Sequence, residues 1–137
     1  GQPWRFVIIR DDEVKRRIAN AKNASCPQDK ADFASDFLSR VPVLIAICVE
    51  KARSHDREKE NGILAAGTLM LAATSRGLGT VYLSAYRDSD PGLQDAMAEI
   101  LGLAPDVEPI CLIPLGYPAE TPAPKSLRPL AEMLDHV

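Results

Sequence analysis

The 137-residue chain is 46% hydrophobic and 26% charged with a formal net charge of −3, the balance of one folded globular domain. Its Lys and Arg form no stripe, which argues against a surface that tracks nucleic acid, and no apolar run approaches the roughly 20 residues of a membrane span. Three widely spaced cysteines lack disulfide or metal-ligand spacing, so no metal is expected and the expected setting is the reducing cytoplasm.

RFVIIR at 5–10 is rich in β-branched residues and reads as a strand. Asp11 and Asp12 supply a cap and an acidic first turn for a surface helix over 12–22, with Val14, Ile18 and Ala21 on its inner face. Residues 23–30 read as a loop carrying Cys26. Phe33, Phe37 and Leu38 then predict a second helix that stops before Pro42. PVLIAICV at 42–49 is apolar almost throughout, the pattern of a strand covered on both faces, and its Cys48 reads as a small buried hydrophobe.

KARSHDREKEN at 51–61 is a charged connection whose His55 reads as solvated, because no acid or nucleophile is fixed near it in sequence. NGILAAGTLMLAATSR at 61–76 is apolar almost all the way round, which predicts a helix running through the core. Ala65, Ala66, Gly67, Ala72 and Ala73 are small enough for close approach by neighbours, and Gly77 suits a left-handed cap.

TVYLSAY at 80–86 is the next strand, and Asp90 with Pro91 opens a helix that Gly102 ends. PICLIPLG at 109–116, with Cys111 buried, is a strand that Pro114 should bend or place at an edge. Residues 127–137 read as a short terminal helix. Taken generically, this alternation suggests a doubly wound parallel sheet. However, neither GxGxxG nor GxxxxGK is present, and the one glycine cluster, GLG at 77–79, follows a helix instead of opening one.

Three stretches exceed what folding needs: GQPW, GLGTVYLSAY and PKSLRP. Singly they also fit a turn, a cap with a strand, and a tail. Together, QPWRFVII, LMLAATSRGLGTVYL, AEILGLAPDVEPICLIPLGYPAE and SLRPLAEML fall in an order and at spacings by which the chain resembles the FMN-dependent nitroreductase family over almost its whole length.

The resemblance implies an α+β fold: a single domain over 1–137, three layers α/β/α, a central mixed or antiparallel sheet and a buried central helix. It implies FMN as cofactor and NAD(P)H as reductant, with hydride passing through flavin N5 to a nitroaromatic, a quinone or a similar small electron acceptor. It also implies a homodimer with FMN at the interface, and chemistry carried by the flavin with no catalytic side chain. Gln2 matches the family's flavin-side loop, with Trp4 packed beneath it. Leu83, Ser84 and Ala85 match the strand whose backbone offers an N–H to N5, with Ser84 nearest. Lys125 and Arg128 match the tail that supplies cations to the FMN phosphate, where an Arg fork suits the phosphate oxygens.

Three departures stand beside these matches. Family chains carry an Arg- and Ser-rich phosphate-binding helix ahead of the point where this sequence begins, so that helix is expected to be missing here. Gly67 and Thr68 stand where the family often has Gln-Asn, and the short 51–61 connection implies an open pocket. Two other readings stay open: an accessory, non-catalytic flavin-binding subunit of the same fold, and an α/β interaction domain.

Overall fold

In the computed structural model, which describes residues 1–26, 34–121 and 123–135, the chain begins with β1 (Trp4–Ile9) and α1 (Asp12–Ala24). A 3-10 turn at Asp36–Ser39 precedes β2 (Val43–Glu50), the single-turn α2 (Lys51–Ser54) and α3 (Glu58–Thr74). Two short strands follow, β3 (Gly79–Thr80) and β4 (Leu83–Ser84), then α4 (Pro91–Leu101) and β5 (Val107–Gly116).

The sheet runs β1-β2-β5-β3, with β4 also on β5, and every pairing is antiparallel. The generic expectation of a doubly wound parallel sheet is therefore corrected to α+β. Its cause is the late strand β5. The helix α3 does return the chain so that β3 and β4 run the same way as β2, but β5 inserts between them with opposite polarity.

Alternation along the central strands makes two cores. Leu44, Ala46 and Cys48 face Ile18, Leu38, Leu93 and Met97 beneath α1 and α4. Ile45, Ile47, Cys111 and Ile113 face Ala66 beneath α3. The two helical layers thus sandwich the sheet. A β-bulge between Ile47 and Cys48 pairs them with Cys111 and Pro109, leaving Ile110 as the extra residue. A Cβ built on Gly62 would stand 2.6 Å from Ile110 Cγ2, so glycine is what lets α3 sit down on the bulge.

Several expectations change. The 33–38 helix reduces to the 3-10 turn at Asp36–Ser39, and Phe33 lies outside the described residues. Pro114 is not at an edge, because β5 is interior. Its missing N–H is absorbed by its neighbour, since the shared register of β3 and β4 places Val81 opposite Pro114, where the edge strand breaks. Of the expected 127–137 helix, the described residues form only a 3-10 turn at Leu130–Glu132, with Leu127, Leu130, Met133 and Leu134 all exposed, and residues 136–137 lie outside them. A short apolar segment with no surface to pack on does not hold a helix.

The buried central helix is buried on one side only. Within one chain Gly62, Ala66 and Ala73 are covered, whereas Leu64 is 70% and Leu71 is 75% exposed. The apolar circumference read from sequence is real, but one sheet face covers only half of it.

Candidate functional site

The edge strand is delivered by the end of α3. Gly77, at φ 71, lets the Leu78 N–H bond the Ala73 carbonyl and its own N–H bond Thr74, a left-handed stop that turns the chain into β3. Beyond the break at residues 81–82, β4 pairs Leu83 with Leu112 and Ser84 with Cys111. The Ala85 N–H donates to Ile110 O at 2.9 Å, which makes 85–110 a hydrogen-bonded pair and 84–111 a non-bonded one. By that alternation the Ser84 N–H and carbonyl point away from β5, off the sheet edge.

What meets those outward groups is specific. Lys22, on the last turn of α1, donates from Nζ to Ser84 O at 2.7 Å. The Ser84 hydroxyl donates to Tyr86 O at 2.7 Å and accepts from Tyr86 N–H at 3.3 Å. Ala85 is fully buried, and Leu83 packs against the α1/α4 core, so both contribute backbone rather than side chain to the edge. Lys59 of α3 ties down the following loop, pairing with Asp88 at 2.6 Å and lying 4.5 Å over the Tyr86 ring.

Electrostatics offers no acid–base pair here. Burial above all, with Cys111 and Tyr86 nearby, pushes the Tyr82 phenol up to about 12, so it stays protonated at neutral pH. Burial, then the Arg87 guanidinium, holds Lys22 below the ordinary lysine value. The buried Arg87 Nε has no hydrogen-bond partner among the described residues.

The other matched residues stand elsewhere. Gln2 is exposed, with its backbone at φ 62, and precedes the opposite edge strand β1. Trp4 lines the same cleft as Gln2, sends its indole N–H to Asn61 O at 3.0 Å and is 38% exposed as a residue. Beside Gln2 lies an open cleft of about 470 Å³ that includes Arg53, His55 and Arg57. The solvated reading of His55 holds, for it is exposed at φ 55. Lys125 and Arg128 are exposed on the tail and form no ion pair among the described residues.

A single chain thus gathers Leu83, Ser84 and Ala85 but not Gln2, which precedes β1, three strand spacings across the sheet from β4, a sheet width of roughly 14 Å. Lys22 was not anticipated. Its signal was available, since Lys15 and Lys22 are seven residues apart and flank Ile18 on the inward face of α1, where a lysine needs a reason to be.

Antiparallel strands between two helical layers, with a broken edge that turns a backbone donor outward, define a nitroreductase-type α+β scaffold. The chain belongs to the nitroreductase family, whose sequence model matches residues 1–117. It is 27% identical over 132 residues to a Methanothermobacter thermautotrophicus protein assigned by inference as an NADH dehydrogenase/NAD(P)H nitroreductase, covering 92% of this chain and 61% of that one. It is 27% identical over 156 residues to the FMN reductase [NAD(P)H] of Bacillus subtilis, covering 99% of this chain and 57% of the relative. Among solved structures, iodotyrosine deiodinase bound to FMN and 3-iodo-L-tyrosine superposes with a TM-score of 0.72 at 27% identity, over 94% of this chain and 73% of that one. The chain spans about three fifths of the two curated relatives' length.

Proposed function

We propose that the protein is an FMN-dependent oxidoreductase that carries hydride from NAD(P)H to a small electron-poor acceptor such as a nitroaromatic or a quinone, and that it acts as a cytoplasmic homodimer. The observation that carries this reading is the Ser84 N–H, turned off the sheet edge on a segment locked by Ile110, Lys22 and Tyr86. When bound, FMN supplies a ring nitrogen, N5, that takes up and gives up hydride.

The residues present suit that group. Ser84 would donate its N–H to N5, and its small side chain, folded back on Tyr86, leaves a flat ring room to approach. Leu83 and Ala85 set the strand beneath the ring. Lys125 and Arg128 are exposed cations on the tail with no ion pair among the described residues, fit to bind a phosphate. With Tyr82 held protonated, no side chain of this segment need move a proton in the chemical step.

What one chain leaves uncovered supports the homodimer. The outer side of α3 bares Leu64 and Leu71, and β1 bares Phe6 and Ile8. Between them runs an apolar groove of about 370 Å³ lined by Trp4, Phe6, Leu64 and Leu69. A second copy over this surface would cover it and let the Gln2 loop of one chain meet the Ser84 edge of the other.

The test is optical. FMN-loaded protein should lose its visible flavin absorbance on anaerobic addition of NADH or NADPH and regain it with a nitroaromatic or a quinone. Flavin that binds but is not bleached would instead favour an accessory flavin-binding subunit, and protein that takes up no FMN would remove both readings.

A further inference from the structure

On the flavin reading above, we infer that Lys22 is a positioning residue that aims the Ser84 backbone at the flavin. The ammonium reaches from the last turn of α1 to a carbonyl 62 positions along the chain, at 2.7 Å. That carbonyl belongs to the 84–85 peptide, whose N–H is held by Ile110 O at 2.9 Å. One peptide plane is therefore clamped at both ends, from α1 on one side and from β5 on the other. The Ser84 hydroxyl adds a third tie through Tyr86. The Ser84 N–H itself belongs to the preceding 83–84 peptide, whose carbonyl faces β5 in the bonded 83–112 pair; with the 84–85 plane clamped as well, the N–H is held pointing off the edge.

Stability alone does not account for this lysine. It is half-buried, it pairs with no carboxylate among the described residues, and another cation, Arg87, bears on it. Taking an ammonium partly out of water costs free energy, whereas an edge carbonyl in water is satisfied without any side chain. Lys15, one turn pair earlier on the same face, shows the ordinary arrangement: it bonds Val41 O and pairs with Asp12 at 2.8 Å. Lys22 differs because its hydrogen bond among the described residues ends on the segment that would contact the cofactor. Its charge, close to that peptide, would also favour an electron-rich ring.

The test uses the full-length protein with Lys22→Met, which keeps length and removes the donor, and Lys22→Arg, which keeps both donor and charge. In FMN-free protein, Lys22→Met should speed hydrogen exchange at the Ala85 and Tyr86 amides by about ten- to hundredfold, the loss of one charge-assisted bond. Exchange in β2 and the global melting temperature should not move. In FMN-loaded protein the flavin midpoint potential should become more negative, and Lys22→Arg should restore both readouts. Unchanged exchange and potential in Lys22→Met would overturn the inference while leaving the flavin reading standing. A general loss of stability that Lys22→Arg does not repair would overturn it in favour of a merely structural role. Wild-type protein that takes up no FMN overturns the flavin reading itself, and exchange in the FMN-free protein then still decides whether the clamp exists.

Discussion

Replacing Ser84 by proline removes one N–H and nothing from the ladder. The donor of Ser84 faces away from β5, so the sheet keeps its 83–112 pairing and the Ala85 bond to Ile110. An outward-facing edge position is where a strand tolerates proline. The substitution also deletes the hydroxyl and its two contacts with Tyr86, so Ser84→Ala is the necessary reference. A neutral hydrogen bond contributes about 0.5–1.5 kcal/mol net, so Ser84→Pro should weaken FMN binding about 2- to 13-fold beyond Ser84→Ala. The steric bulk of the ring on the cofactor side acts in the same direction. Quenching of FMN fluorescence on titration reads the affinity, and thermal unfolding of the two apo-variants should agree within a few degrees. Equal FMN affinity in the two variants would refute the assignment of this N–H to the flavin.

Gly62→Ala puts a Cβ 2.6–2.8 Å from three side-chain atoms of Ile110, which is fully buried. Overpacking of about 1–3 kcal/mol should outweigh the roughly 1 kcal/mol gained in helix propensity, and Ile110→Ala, which removes two of the three crowded atoms, should cost less in the Gly62→Ala chain than in the wild type in a denaturant titration. Leu71→Glu alters a side chain 75% exposed in the single chain, so it should spare the fold yet abolish the dimer in sedimentation, each copy forfeiting about 1.5–3 kcal/mol of apolar burial. Burial pushes the Cys48 and Cys111 thiols from 9.0 up to about 12. A raised acid pKa stabilises the fold only below the unfolded value, so this contribution should be lost as pH climbs from about 9 toward 12. Below pH 8 neither thiol should react with a thiol reagent until the protein unfolds.

The strands were legible because their composition is extreme. VLIAICV admits no solvent face, and Asp90-Pro91 with Gly102 bounds α4 as expected, with the Gly92 N–H on Asp90 at 3.1 Å. Strand direction was not legible, because alternation of strand and helix is compatible with β5 inserting either way. The tail was misread because LRPLAEML has helical spacing, and periodicity states which residues seek cover without supplying it. The same gap separates the apolar circumference of α3 from its half-bare state. For the site, the GLG stop follows from local sequence and the Ser84 segment was singled out only through the family resemblance, whereas the Lys22 contact spans 62 residues and only the folded chain reveals it.

The most direct test of the account is the mass and flavin content of the FMN-loaded protein measured together, by light scattering during size exclusion with absorbance detection. The expected result is two chains carrying two FMN, with flavin lost when Leu71→Glu separates the chains. A monomer that holds one FMN with undiminished affinity would contradict a site built from the Ser84 edge of one copy and the Gln2 loop of another.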